Sequence, residues 1–220
     1  MYDRDYLMRL ISQMSVAMGR LMGLKEQKKH DEAMELIDEF LSRELRMRTR
    51  LALGLSDEDL LKMLSIGSAP NLESVAIIAA FLQEDGDLLR ETGRTVDAVP
   101  RYEKALRLLI YAILEGGPIK GLRMEERVRE LIAGLEPYET TSETKRSIWG
   151  WEESQGQYAD AENRLYELYE DRAVTADEGR SFYKRLERLE DDALERGGLP
   201  RGELREGLEQ WIKLAGETAS

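Results

Sequence analysis

The 220-residue sequence contains no cysteine and a single histidine, His30. The lack of cysteine excludes disulfide bonds, thiol catalysis and thiolate-ligated zinc or iron–sulfur sites. With one histidine there is no histidine pair for a metal ion, and we expect no Ser-His-Asp or Cys-His arrangement. We therefore expect no metal, no cofactor and no enzymatic activity. A cysteine-free chain is typical of a reducing compartment, which predicts a cytoplasmic location.

Long apolar runs are also missing. No stretch approaches the roughly 20 apolar residues that span a bilayer. The first residues include Asp3, Arg4 and Asp5, and Arg9 interrupts the apolar residues that follow, so a secretory signal is not expected. The sequence predicts neither an integral membrane protein nor an exported one.

Positive charge is in deficit, since 44 acidic residues face 32 Lys and Arg, a net charge of −12. The net charge becomes more negative along the chain. Residues 1–50 contain ten basic and nine acidic residues, and residues 151–220 contain ten basic and eighteen acidic ones. Nucleic-acid affinity depends on Lys and Arg that neutralise phosphates. We therefore expect no nucleic-acid partner.

Helical periodicity is present almost throughout the chain. In the first segment, Leu7, Leu10, Met14, Met18 and Leu21 recur at three- and four-residue spacing, which is typical of an amphipathic helix. Similar patterns predict about ten helices, near 3–24, 33–41, 56–67, 70–91, 96–115, 122–135, 142–154, 157–172, 175–196 and 200–216. No window alternates with the two-residue period of a strand. The predicted fold class is all-α.

Three stretches of the sequence resemble one another: KKHDEAMELIDEFL (28–41), GRTVDAVPRYEKAL (93–106) and GQYADAENRLYELY (156–169). Each contains a small alanine after a turn, and the three alanines, Ala33, Ala98 and Ala161, lie 65 and 63 positions apart. The spacing predicts one helical-repeat domain over 1–220. Its approximate units are 1–67, 70–135 and 140–196, followed by a final helix at 200–216.

The middle stretch resembles the tetratricopeptide repeat. Its matching positions are Leu82, Gly86, Leu89, Ala98 and Tyr102, while Asp85 and Ile110 replace the usual leucine and proline. The last copy keeps Ile148, Ala161 and Leu165 but has Trp149 at the glycine position, and the first copy keeps little beyond Ala33 and Ile37. The resemblance implies antiparallel helical hairpins stacked as a degenerate α-superhelix. An irregular helical bundle is the alternative.

A second resemblance covers the two ends of the chain. The opening RDYLMRLISQM and the ending FYKRLERLEDDALERGGLPRGELREGLEQW are similar to an uncharacterised bacterial family of small helical proteins, a domain of unknown function. This resemblance implies no activity.

The tetratricopeptide resemblance implies a protein- or peptide-binding scaffold whose groove is furnished by the first helix of each hairpin. By matching position, the groove residues would be Gln83, Asp87, Arg90, Arg146 and Glu153. Carboxylates such as the Glu152-Glu153 pair are otherwise expected to be solvated.

Seven of the nine methionines fall within residues 1–47. Flexible thioethers suit a surface that adapts to a partner, so Met8, Met14, Met18 and Met22 form a candidate partner or homodimer surface, unless they fill the core. Nearby Lys and Arg residues would favour an acidic partner or a membrane surface. The alternatives to a peptide scaffold are therefore a self-associating structural protein and a groove that senses a small ligand.

Overall fold

The computed structural model describes residues 2–67 and 69–217, with side chains described for residues 8–67 and 69–214. This part of the chain is almost entirely helical, which confirms the all-α prediction. It packs as two compact units, Met1–Thr140 and Thr141–Ser220, called unit 1 and unit 2 below. The sequence analysis expected one continuous domain over this length. Each unit is described by itself.

Unit 1 contains seven helices and one small β-ladder among its described residues. In chain order they are α1 (Tyr2–Glu26), α2 (His30–Leu45), α3 (Thr49–Gly54), α4 (Asp57–Met63), β1 (Ser65–Ile66), β2 (Ala69–Pro70), α5 (Leu72–Glu91), α6 (Thr95–Gly116) and α7 (Met124–Leu135). The antiparallel pair of β1 and β2 corrects the prediction of no strand. Two residues per strand are too few to show the alternation on which that prediction relied.

Unit 2 contains five helices among its described residues: α8 (Ser142–Ser154), α9 (Tyr158–Glu170), α10 (Ala176–Leu186), α11 (Asp191–Arg196) and α12 (Arg201–Glu217). The described total is twelve helices, where about ten were predicted. The predicted helix 175–196 is two helices, with a turn at residues 187–190. The other addition is α3, whose six residues are too short for a periodic pattern to be recognised.

Helix α5 lies at the centre of unit 1, where it packs against α1, α2, α6 and α7. Every side chain from Val75 to Leu82 is fully buried. A helix that is apolar around its whole circumference must be enclosed by other helices. The neighbouring helices of unit 1 therefore pack around α5.

A close contact between α5 and α6 depends on Gly86. A Cβ atom at this position would lie 2.6 Å from the Tyr102 ring of α6, well inside van der Waals contact. The Tyr102 hydroxyl donates a hydrogen bond of 2.8 Å to Asp87, which fixes the ring where it lies. Gly86 and Tyr102 occupy the glycine and phenylalanine positions of the tetratricopeptide pattern, and here they touch.

Replacing Gly86 by alanine is expected to lower the free energy of unfolding by about 1–3 kcal/mol, because the Tyr102 ring must move in a packed interior. Urea denaturation followed by far-UV circular dichroism measures the loss. Gly134→Ala on α7 is the matched control, since nothing lies within 4 Å of a Cβ at Gly134. An equal effect of the two substitutions would contradict the close approach described here.

Candidate functional site

Three of the five predicted groove residues lie together on α5 in unit 1. Gln83, Asp87 and Arg90 line a cavity of about 170 Å³, called the Asp87 cavity. Its remaining lining residues come from α6 and α7: Tyr102, Glu130, Leu131 and Gly134. Three-residue and four-residue steps along α5 place the three predicted residues on one face.

Asp87 organises the polar contacts of the Asp87 cavity. It accepts hydrogen bonds from the Tyr102 hydroxyl at 2.8 Å and from Arg90 at 3.1 Å, and the Arg90 guanidinium lies 5.7 Å from the centre of the Tyr102 ring. Burial raises the pKa of Asp87 above its ordinary value, against the opposing effect of the Tyr102 hydrogen bond. Burial also raises the pKa of Tyr102, and the hydrogen bond to Asp87 adds to this. In this small cavity, Asp87, Arg90 and Tyr102 are therefore already paired with one another.

Gln83 is less accessible than its predicted role requires. Only 5% of its surface is exposed, and its amide nitrogen donates to Glu130 of α7 at 3.1 Å. Its amide oxygen accepts a 2.7 Å hydrogen bond from Arg127, also of α7. Gln83 therefore fastens α5 to α7 instead of offering a free side chain.

The other two predicted groove residues, Arg146 and Glu153, lie on α8 in unit 2 and pair with α10. Arg146 forms a 2.6 Å ion pair with Glu178 and donates to the carbonyl of Ala173. Glu153 accepts two 2.7 Å hydrogen bonds from Arg185. Both residues therefore join helices within unit 2, and the structure does not bring them into the Asp87 cavity.

A larger cavity in unit 1 is lined in part by the methionines that the sequence analysis proposed as a partner surface. Helices α1, α5 and α7 and the turn before α7 enclose about 550 Å³, called the methionine groove. Its lining residues are Met14, Ser15, Met18, Gly19, Met22, Lys25 and Glu26 of α1, Glu84 of α5, and Gly121, Leu122, Arg123 and Arg127. This volume falls in the range of about 300–1,000 Å³ that is typical of ligand pockets, whereas the Asp87 cavity is smaller.

The four predicted surface methionines have different environments. Met14 is 4% exposed and belongs to the core while it also lines the methionine groove. Met18 is half-buried in the groove wall, and Met22 is 65% exposed at its rim. Met8 is 63% exposed but does not line the groove. Met14 therefore fits the interpretation as core filler, whereas Met8 and Met22 fit the interpretation as an open surface.

Charged residues meet at the floor of the methionine groove. Glu84 of α5 lies 3.3 Å from both Lys25 and Arg127, and Lys25 also lies 3.5 Å from Glu91. These ion pairs hold α1, α5 and α7 together, and the two carboxylates of Glu84 and Glu91 balance the two cations. The hydrogen bond between Arg127 and Gln83 separates the methionine groove from the Asp87 cavity.

The rim of the groove at α7 includes a helix N-terminus whose first turn carries Glu125 and Glu126. Arg123 precedes α7 in a left-handed conformation, with φ of +50°, and its side chain does not cap the backbone N–H groups of the first turn. Uncapped N–H groups at a helix N-terminus carry partial positive charge. The Arg123 side chain itself is 66% exposed and pairs with Glu126.

A third hollow, of about 800 Å³, runs along the outside of α2 and is bordered mainly by charged residues, among them Glu35, Glu39 and Arg43. Its central carboxylate, Asp38, accepts hydrogen bonds from the backbone N–H of Thr49 at 2.9 Å and from the Thr49 hydroxyl at 2.7 Å. Asp38 thereby fixes the start of α3. Asp38 gives this hollow a structural role, and charged and polar residues make up most of its lining.

One buried carboxylate in unit 2 was missed by the sequence reasoning, which expected the Glu152-Glu153 pair to be solvated. Glu152 is 6% exposed, and one of its oxygens accepts a 3.3 Å hydrogen bond from Arg164. Its other oxygen and the indole N–H of Trp149 have no hydrogen-bond partner among the described residues. Burial raises the pKa of Glu152 to about 7 despite the nearby Arg164. No sequence signal distinguishes Glu152 from its exposed acidic neighbours.

Across the described residues, no group of three or more His, Asp or Glu side chains is arranged to hold a metal ion. His30 lies at the start of α2, with its Nδ1 atom 3.6 Å from Glu91. No described helix combines the length and the apolar character that a membrane crossing needs.

Comparison with curated proteins and with solved structures found no match to the chain. A family model matches residues 1–216, almost the whole length. This agrees with the resemblance of both chain ends to an uncharacterised family. The chain belongs to the family of unknown function DUF6483.

Proposed function

We propose that the chain is a protein- or peptide-binding module with a degenerate tetratricopeptide-like organisation in unit 1. The order of helix packing supports this. Helices α1 and α2, α2 and α5, α5 and α6, and α6 and α7 pack in succession, while α1 and α7 each also pack against α5. In stacked hairpins of this type, the first helices of successive hairpins line one shared face. Here those helices would be α1, α5 and α7.

The observation that carries the proposal is the methionine groove. It lies where α1, α5 and α7 meet, it has a volume in the ligand range, and its α1 wall includes Met14, Met18 and Met22 at four-residue spacing. Unbranched thioethers adapt to different apolar side chains, which suits a surface that receives a peptide. The groove residues are therefore Met14, Met18 and Met22, with Asp87 and Arg90 beside them in the adjoining cavity.

Gly19→Leu tests this proposal directly. Gly19 lines the groove, and nothing lies within 4 Å of a Cβ at that position, so a side chain can be added there and a leucine would take up part of the groove. Leucine also favours the helix interior over glycine by roughly 0.5–1 kcal/mol. The variant is expected to be at least as stable as the wild type. Its affinity for peptide is expected to be lower by a factor on the order of ten or more.

The probes are peptides enriched by selection of a displayed random library on the full-length chain, with affinities measured by fluorescence anisotropy. Gly150→Leu is the matched control, because Gly150 lies within α8 of unit 2 and its Cβ position is also open. Gly134→Leu fills the Asp87 cavity in the same way and reports whether that cavity contributes. Enriched peptides that bind Gly19→Leu as well as the wild type would contradict the proposal.

Self-association through α1 is the second candidate function. Met8, Val16 and Met22 of this helix are 63%, 64% and 65% exposed, which is unusual for large apolar side chains on one helix. Light scattering across a concentration series distinguishes the two functions. A stable dimer that Val16→Ser disrupts would support self-association, whereas a monomer at all concentrations would remove it.

A further inference from the structure

Glu152 of α8 and Arg164 of α9 form an incomplete contact inside unit 2. Their hydrogen bond runs from Arg164 Nη2 to Glu152 Oε1 and is 3.3 Å long, against about 2.7–2.9 Å for a strong pair of this kind. Arg164 Nε and Glu152 Oε2 are both buried and have no hydrogen-bond partner among the described residues. Since buried polar atoms are usually paired, each partner carries one atom that the contact leaves unsatisfied.

The next residue along α8 shows the complete form of the same contact. Glu153 accepts hydrogen bonds of 2.7 Å from both Nε and Nη2 of Arg185 on α10. In this side-on bidentate geometry, two nitrogens of one guanidinium face the two oxygens of one carboxylate. The same geometry between Glu152 and Arg164 would pair Nε with Oε2, which are the two unsatisfied atoms, and would leave Nη2 on Oε1.

The protonation state of Glu152 gives a physical reason for the incomplete contact. Burial raises the pKa of Glu152 to about 7, so the side chain is a neutral carboxyl group below neutral pH and a carboxylate above it. A neutral carboxyl group presents an O–H donor on one oxygen, where a carboxylate presents only acceptors. With the proton on Oε2, this hydroxyl opposes the Nε–H donor of Arg164 instead of accepting from it.

The other charged groups around α8 are already paired or repel a charge on Glu152. Those that face α8 from the helices of unit 2 packed on it, and from the turn after α9, are Asp160, Arg164, Glu167, Asp171, Glu178 and Arg185. The last three form ion pairs of 2.7 Å or less with other residues of α8. Asp160 and Glu167 oppose the ionisation of Glu152. Arg164 gives its Nη1 to Glu167 at 2.7 Å, so its Nε and Nη2 remain for Glu152.

We propose that Glu152 and Arg164 form a pH-controlled ion pair that joins α8 to α9. When Glu152 releases its proton to solvent, Oε2 becomes an acceptor and pairs with Arg164 Nε–H, while Nη2 stays on Oε1. The contact is then bidentate, like that of Glu153 with Arg185, and both unsatisfied atoms are paired. The closed pair offsets part of the cost of a buried charge. This inference does not rest on the proposed peptide-binding function.

Nitrogen-15 NMR of the arginine Nε–H groups of the full-length chain tests the proposal between about pH 5.5 and 8.5. The Arg164 signal is identified by its loss in Arg164→Lys. This signal is expected to move as the pH rises through about 7. At about pH 8, its exchange with water is expected to be on the order of tenfold slower in the wild type than in Glu152→Gln, because only the wild type forms the hydrogen bond to a charged group.

The chain supplies its own controls. Arg185 Nε–H is already paired with Glu153, so its signal should keep its position over the same pH range. Glu167→Gln removes the other carboxylate that Arg164 contacts, at Nη1, and should leave the response at Nε in place. Glu152→Gln keeps the size of the side chain but cannot ionise, so the Arg164 signal should not move in this variant.

An Arg164 Nε–H signal in the wild type that is the same at both ends of the pH range overturns the proposal, whether or not the proton is protected from exchange. A movement that persists in Glu152→Gln, or one that is lost in Glu167→Gln, also overturns it, because another group then titrates. Peptide binding enters none of these measurements, so this proposal and the proposed function stand or fail separately.

Discussion

Replacing Trp211 by alanine is expected to lower the free energy of unfolding of unit 2 by about 3–5 kcal/mol, the range for a fully buried tryptophan. The Trp211 ring is completely buried on α12, with Tyr169 and Tyr166 at ring-centre distances of 4.9 and 5.4 Å. Its indole N–H donates a 2.9 Å hydrogen bond to the carbonyl of Ala176 at the start of α10. The truncation leaves a cavity and removes this hydrogen bond.

Chemical denaturation followed by tryptophan fluorescence measures this loss. All three tryptophans of the chain lie in unit 2, and Trp149 and Trp151 remain as reporters in the variant. Ile212→Ala on the same helix is the matched control, because Ile212 is 47% exposed and its truncation should cost little. A similar cost for the two substitutions would contradict the aromatic core of unit 2.

Replacing Glu152 by glutamine is expected to remove a pH-dependent penalty in unit 2. The pKa of this buried carboxyl is raised to about 7 from a model-compound value of 4.5, so the folded state holds the proton more tightly than the unfolded state. The associated stability is fully present below pH 4.5 and is lost as pH rises to about 7. A shift of this size corresponds to about 3 kcal/mol.

The measurement is the free energy of unfolding of wild type and Glu152→Gln between pH 4.5 and 8, followed by tryptophan fluorescence. The difference between the two proteins should move in favour of the variant by about 3 kcal/mol over this range, although the variant loses the charge that faces Arg164. Glu170→Gln, at an exposed position on α9, is the charge-matched control. A difference that does not vary with pH would contradict the burial of an ionisable Glu152.

The helices were the part of the fold that the sequence could predict, because their apolar residues recur at three- and four-residue spacing. The buried face of α2, with Ala33, Leu36, Ile37 and Phe40, has this spacing. The capping box at Thr175 and Glu178 also lies at the predicted start of α10. Local signals of this kind depend only on neighbours along the chain.

The methionine groove could be predicted only in part, because it depends on contacts between residues far apart in sequence. Periodicity identified the methionines of α1, but no local pattern indicates that Arg123 and Arg127 lie opposite them. Gln83 was matched to a groove position by its place in the repeat, whereas its bonds to Arg127 and Glu130 depend on where α7 packs. The burial of Glu152 beside Arg164 is likewise set by the packing of α8 on α9.

The most direct test of the central claim is methyl NMR of the full-length chain labelled at its methionine methyl groups. When a peptide selected on the wild type is added, the account predicts that the signals of Met18 and Met22 shift. The signal of Met63, which is 55% exposed on α4 outside the groove, should stay in place. Saturable peptide binding that shifts Met63 and leaves Met18 and Met22 unchanged would contradict the account.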